Sequence, residues 1–260
     1  MTAISMGGGS TSLDSIPNSD VTRVETTLFL LISLDGKITS GESDALDPDW
    51  DWTRIHGVKE GLHQYYEIEK TTDLHFLITA RIHEKLGVNN PPSEEPARTP
   101  VSAVVIDRKP HLTEQGVRNY LGLHKDLYLV TTNAQHPAFH IRAPNLHIIH
   151  YAGEIDFPDL FRRLRQEHGI ERLTIQSGGT LNSVLLRQGL IDHVSVVVAP
   201  LLVGGQATPS LIGGTSLQVE ADLPNLKALR LTQCKVLEDS FLHLRYDVLN
   251  ETIVDPKDSI

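Results

Sequence analysis

The sequence predicts an α/β fold in three layers: a mostly parallel central sheet, flanking helices, and an antiparallel C-terminal hairpin. Three observations carry that expectation. Short apolar runs that read as buried strands recur along the chain, at Leu28–Ile32, Phe76–Ile78, Val101–Asp107, Leu127–Thr132, Leu146–His150 and Val194–Val198. Segments with helical spacing of apolar residues separate several of them, which is how parallel strands are connected. The last third instead holds two strand-like runs, Ala228–Cys234 and Phe241–Leu249, joined by the polar turn Glu238-Asp239-Ser240.

In chain order, residues 1–20 are Gly/Ser-rich and polar and read as a flexible tail, with 21–260 forming a single domain. Val21–Ser33 holds the first strand. The stretch from Gly41 to Gly57 is acidic and carries both tryptophans, Trp50 and Trp52, too polar for core and too aromatic for a plain linker. Gly61–Thr72 reads as a helix with Leu62, Tyr65, Tyr66 and Ile68 available for burial. A second strand, Asp73–Ala80, leads into a further helix, and Asn89–Pro100 is a Pro-rich surface loop. Strands three to five follow. The segment Phe157–His168 then offers Leu160, Phe161 and Leu164 to the core.

The stretch from Thr174 to Gly205 is the best punctuated of the chain. A short strand ends at Ile175, a Ser177-Gly178-Gly179-Thr180 turn follows, and Leu181, Val184 and Leu185 fall on one helical face. Thr180 is expected as the helix cap and Gly189 as its stop. The next strand ends at Pro200, before Gly204-Gly205 turns the chain.

Composition narrows the function. Forty per cent hydrophobic and 22% charged residues describe a soluble globular chain, and a net charge of −10 argues against nucleic acid or an anionic membrane as partner. One cysteine, Cys234, excludes an internal disulfide and suggests a reducing, cytoplasmic setting; it is expected to be a small buried residue of a late strand. No apolar run has the length of a membrane helix, and no secretory leader is evident. His136 and His140 have i, i+4 spacing but are separated by Pro137, and His147 and His150 fall on opposite strand faces, so no metal is expected.

Two features have chemical uses of their own. Glycines after a strand let a backbone approach a pyrophosphate, and the free N–H groups at a helix start favour an anion; a plain tight turn is the alternative. Asp35, at the end of a buried strand, stands where open α/β sheets bind ligands, although Asp-Gly is also a common turn.

The same stretches carry a resemblance. Ser33-Leu34-Asp35-Gly36-Lys37, Gly189-Leu190-Ile191-Asp192 and Ala199-Pro200-Leu201-Leu202-Val203-Gly204-Gly205 resemble S-L-D-G-[KR], G-L-[IV]-D and A-P-x-L-x-G-G of the riboflavin-biosynthesis pyrimidine reductases. Those enzymes share the dihydrofolate-reductase fold. The resemblance implies a cytoplasmic, homodimeric, NADPH-dependent reductase of a ribosylaminopyrimidine phosphate, with hydride delivered to an imine-like or ring-opened sugar carbon. Dihydrofolate or pterin reduction, or a non-catalytic NADP-binding sensor, are the alternatives. The deaminase partner of many bacterial relatives is expected to be absent, since no H-x-E…P-C-x-x-C pattern occurs.

The resemblance also implies site residues. Asp35 and Gln176 take the catalytic positions, Gln176 standing where many relatives have glutamate. Thr79, Ala80 and Arg81 resemble in part the G-R-x-T turn of dihydrofolate reductases, with the glycine replaced, and would bind the cofactor. Arg81, Arg108 and Lys109, at strand ends, offer the cations that a 2′-phosphate requires, a solvated turn being the alternative for Arg108 and Lys109. Ser177, Gly178, Gly179, Thr180 and Leu181 would form the cofactor floor, with a cis Gly178–Gly179 peptide. Ser33, Asp35, Trp50, Trp52, Gln64, Pro200 and Leu202 would line the substrate pocket, the tryptophans on a closing loop. Glu60 and Glu67 could substitute for the helix carboxylate of folate reductases, whose place falls to Gln64.

Overall fold

In the computed structural model, residues 22–92 and 97–257 are described, and the expected tail at 1–20 lies outside them. Nine strands form one sheet: β1 (Glu25–Ser33), β2 (His75–Thr79), β3 (Ser102–Ile106), β4 (Leu127–Thr131), β5 (Leu146–His150), β6 (Arg172–Ile175), β7 (His193–Ala199), β8 (Ala228–Val236) and β9 (Leu242–Leu249). Their spatial order is β5-β4-β3-β2-β6-β1-β7-β9-β8. Every pair from β5 to β7 is parallel; β7–β9 and β8–β9 are antiparallel. The expected mixture of parallel core and antiparallel C-terminal hairpin is therefore present.

The helices are α1 (Pro48–Asp51), α2 (His63–Glu69), α3 (Ala80–Lys85), α4 (Glu114–Leu123), α5 (Phe157–Gln166) and α6 (Gly179–Arg187). They pack on both faces because neighbouring residues of a central strand point to opposite sides. On one face, Leu160, Phe161 and Leu164 of α5 and Leu185 of α6 meet Leu28, Leu77 and Val104. On the other, Val117 and Tyr120 of α4 meet Ile78, Ala103 and Val105, while Leu62 and Tyr65 cover Phe29, Leu31 and Val197. Asp156 caps α5 by accepting from Asp159 N, with Pro158 in the first turn, and Thr113 caps α4 by accepting from Gly116 N.

Several expectations are corrected. Helix α4 was not legible in the sequence, because Gly116, Asn119 and Gly122 dilute its apolar stripe. Helix α6 starts at Gly179 with Gly178 as its cap residue, so Thr180 is a helical residue and not the cap; Val184 is 38% exposed, off the buried face. Gly189, at φ +67°, is the expected stop, since a left-handed conformation there suits glycine. Trp52 is 1% exposed and packed with Val58, Leu62 and Phe241, so it belongs to the core and does not face a ligand. Cys234 is exposed, not buried, because all nine residues of β8 are.

Candidate active site

Strand β6 is too short for its place in the sheet. Its last residue, Ile175, lies opposite Leu28 of β1 and Leu77 of β2. Yet β1 runs on beside β7 to Ser33, and β2 runs on beside β3 to Thr79. A slot therefore opens between β1 and β2 at the carboxyl end of the sheet, where open α/β folds bind ligands. Gln176, Ser177 and Gly178 form its foot, with Gln176 N donating to Leu77 O at 2.9 Å.

The Gly-Gly turn divides its work between its two glycines. A Cβ on Gly178 would meet nothing within 4 Å, so the backbone there is open. A Cβ on Gly179 would lie 2.1 Å from Ser210 O, and Gly213 N donates to Gly179 O at 2.9 Å. Gly179 is thus needed for close packing of the 209–214 loop and is not part of an open floor. The Gly178–Gly179 peptide is trans, contrary to the expected cis bond. Ser177 is 1% exposed and donates to Asn182 Oδ1 at 2.6 Å, while Asn182 Nδ2 donates to Leu211 O, so its hydroxyl is turned inward to hold that loop. Thr180 is exposed and Leu181 half-buried.

Asp35 closes one rim. It accepts from Ser33 Oγ (2.6 Å), Val203 N (3.0 Å) and Gly204 N (2.7 Å). Those donors, Ser33 first, bring its carboxyl down to about 2. Asp35 is consequently an anion that holds the turn after β7, and it cannot give a proton near neutral pH. Lys37 Nζ completes the rim by donating to Gly205 O and Thr208 O. Ser33 is fully buried, its hydroxyl also accepting from Lys37 N. Pro200 is half-buried, and Leu202 is 71% exposed above the turn. Trp50, at 69% exposure, is free of the core.

A candidate proton donor comes from an unexpected place. Gln176 Nε2 donates to Glu69 Oε1 at 2.5 Å. Glu69 ends α2, one turn after Tyr65, whose ring stacks on Phe29 at a centroid distance of 5.1 Å. Burial pushes the Glu69 carboxyl above its ordinary range, against the donation from Gln176 and helped by the charge of Asp49. Sequence reading weighed Glu60 and Glu67 and missed Glu69. Its i, i+4 relation to Tyr65 was the available signal. Glu60 is spent on Gly57 N and Glu67 is exposed. Gln64 donates to Glu238 O and accepts from Glu238 N, so it fastens the β8–β9 turn and is not free for a substrate.

The expected cations lie at the ends of β2 and β3. Thr79 precedes α3, and Ala80 is buried. Arg81 pairs with Asp44 at 2.8 Å. Arg108 and Lys109 are exposed and make no salt bridge among the described residues. Their turn is held from below by Asp107, fully buried, which accepts from His111 N, Leu112 N and His136 Nε2. His136 Nδ1 accepts from Ala138 N, so its proton sits on Nε2 and the histidine is a structural member. No group of three or more potential metal ligands occurs among the described residues, and no helix there is long and apolar enough to cross a membrane.

Comparison with known proteins agrees with this architecture. The 2,5-diamino-6-ribosylamino-4(3H)-pyrimidinone 5′-phosphate reductase of Methanothermobacter thermautotrophicus is 40% identical over 74 residues, 28% of this chain and 34% of its own length. The protein of the same name from Aquifex aeolicus is 34% identical over 74 residues, 28% of this chain and 30% of its own. The matched segments thus span about a third of these relatives. Among solved structures, Acinetobacter baumannii RibD superposes with a TM-score of 0.61 at 18% identity, covering 88% of this chain and 59% of that one. The Saccharomyces cerevisiae riboflavin biosynthesis reductase Rib7 does so with 0.55 at 12% identity, covering 89% and 92%. At such identities the likeness concerns the fold. The RibD C-terminal domain family matches residues 25–239, most of the chain, and the protein belongs to that family.

Proposed function

We propose that this chain is an NADPH-dependent pyrimidine reductase of riboflavin biosynthesis, acting on a ribosylaminopyrimidine 5′-phosphate as its named relatives do. The observation that carries the reading is the Glu69–Gln176 pair at the foot of the slot, an acid and an amide beside an open glycine.

The residues present fit a phosphorylated nicotinamide cofactor. Gly178 leaves room for close approach, α6 begins there with no side-chain cap on its N–H groups, and Arg81, Arg108 and Lys109 supply positive charge in an acidic chain. When bound, that cofactor supplies a hydride. The protein's own part is to hold and protonate the acceptor. Glu69 is the carboxyl placed to pass a proton, its affinity for one raised first by burial and then by the charge of Asp49, against the donation from Gln176. Gln176 spends its Nε2 on Glu69, which leaves its carbonyl oxygen to accept from a ligand. Asp35 fixes the turn that follows Pro200 and Leu202 by accepting from Val203 N and Gly204 N. Gln176 in place of the family glutamate then means a relocated acid and not a lost one, which favours catalysis over the sensor alternative.

Pairing with a second copy of the chain, as a homodimer, is part of the proposal. Strand β8 exposes both faces, with Leu229 at 46%, Leu231 at 53% and Val236 at 75%, a strip that an isolated soluble chain would not retain. Alkylation of Cys234 at micromolar protein should be slow and should quicken on dilution; a concentration-independent rate with a monomer mass by light scattering contradicts the dimer. Residence in the cytoplasm is part of the same reading. The test of function is consumption of NADPH on addition of the pyrimidine ribosylamine phosphate. Binding without turnover of this substrate overturns it.

A further inference from the structure

Arg81 does not stand free to meet a phosphate. Asp44, in the acidic segment between β1 and α1, places Oδ2 2.8 Å from Arg81 Nη2 and Oδ1 2.5 Å from Lys85 Nζ. The two cations sit i, i+4 on α3, so one carboxylate bridges both. Among the described residues, every other hydrogen bond of residues 40–47 stays within residues 39–51, as in Thr39 to Gly41, Leu46 to Ser43 and Asp47 to Asp51. Asp44 is therefore the polar fastening between this segment and α3. The segment continues directly into α1 and the exposed Trp50.

We propose that Asp44 is a specificity-determining latch: it occupies the Arg81–Lys85 pair in the ligand-free protein and yields only to a cofactor carrying a phosphate at that position. A carboxylate and a phosphate monoester compete for the same donors, and the dianion has the greater charge and more acceptor oxygens. A cofactor with a plain ribose hydroxyl there has nothing with which to displace Asp44 and leaves the segment fastened. The phosphorylated cofactor releases it, which couples recognition of the 2′-phosphate to freedom of the Trp50 segment. The proposal rests on the reading that Arg81 faces the adenosine end of the cofactor.

The test uses two fragments, 2′,5′-ADP and 5′-AMP, titrated by calorimetry into the wild type, Asp44→Asn and Arg81→Ala. Both substituted sites are exposed, so folding is not at stake. Asp44→Asn should bind 2′,5′-ADP about three- to tenfold more tightly, the range set by exposed ion pairs, with 5′-AMP unchanged. In hydrogen exchange, 2′,5′-ADP but not 5′-AMP should quicken exchange at residues 41–47 of the wild type. Unchanged or weaker 2′,5′-ADP binding in Asp44→Asn, while the wild type still prefers 2′,5′-ADP and Arg81→Ala loses that preference, overturns the latch and leaves the cofactor reading standing. A wild type that does not distinguish the fragments overturns both.

Discussion

Adding one methyl group to each glycine of the turn separates packing from ligand access. On Gly179 the new carbon would lie 2.1 Å from Ser210 O and 3.1 Å from Gly213 N, both backbone atoms. The 209–214 loop must move, which strains the Gly213 N–Gly179 O hydrogen bond and the Asn182 contact to Leu211 O. Overpacking of this kind costs about 1–3 kcal/mol. For a chain of this size each kcal/mol lowers Tm by about 2–4 °C. Gly178 has φ −73° and ψ 157°, open to any residue, and no neighbour within 4 Å. Gly178→Val should accordingly keep the wild-type Tm and lose NADPH affinity, while Gly179→Ala should lose Tm first. Calorimetric melting and NADPH titration on the same samples decide the matter. A Gly178→Val protein that melts normally and binds NADPH normally refutes the slot; a Gly179→Ala protein of unchanged Tm refutes the packing argument.

Glu69→Gln keeps the contact to Gln176 but removes the proton, so kcat should fall by about 10²–10⁴ and the loss of rate toward high pH should vanish, as a pH–rate profile would show. Because the folded-state pKa of Glu69 is raised, its contribution to stability is full below the ordinary glutamate range and is lost as pH rises through the raised value. The Tm advantage of Glu69→Gln over wild type should therefore grow from acid to neutral pH; a constant difference contradicts the assignment. Trp52→Ala should cost about 3–5 kcal/mol as a core truncation, and Trp50→Ala close to nothing, by denaturant melts. The Arg108→Ala/Lys109→Ala pair should weaken NADPH far more than NADH in fluorescence titration, and equal losses would remove these residues from phosphate recognition.

The fold was legible where burial dictates composition. The runs in β1, β3, β4 and β7 are apolar because both faces of those strands are covered, and the polar turn before Phe241 announced the hairpin. Helix α4 escaped notice because Gly116 makes room for Asn89 and Asn119 donates to Val88 O, contacts that place weak helix formers in its middle. The site was legible only in part. Asp35 was found through its position at a strand end, but its role as a clamp depends on the backbone of Val203 and Gly204, far away in sequence. Trp52 looked solvent-facing because its neighbours are charged, whereas a short α1 and the turn after it rotate that one side chain inward. The i, i+4 relation to Tyr65 places Glu69 on the covered face of its helix, but its pairing with Gln176 depends on β6 stopping early, which only the structure shows.

The proposed activity is reduction, in this slot, of the sugar carbon of a ribosylaminopyrimidine phosphate by hydride from bound NADPH. Mass spectrometry of product formed with NADPH deuterated at the nicotinamide C4 tests it most directly, using both stereoisomers of the label. One stereoisomer should place a single deuterium on the former anomeric carbon, with one NADPH consumed per product and with the transfer strongly slowed in Glu69→Gln. Deuterium on the pyrimidine ring, or none with either isomer while NADPH binds, would contradict the account.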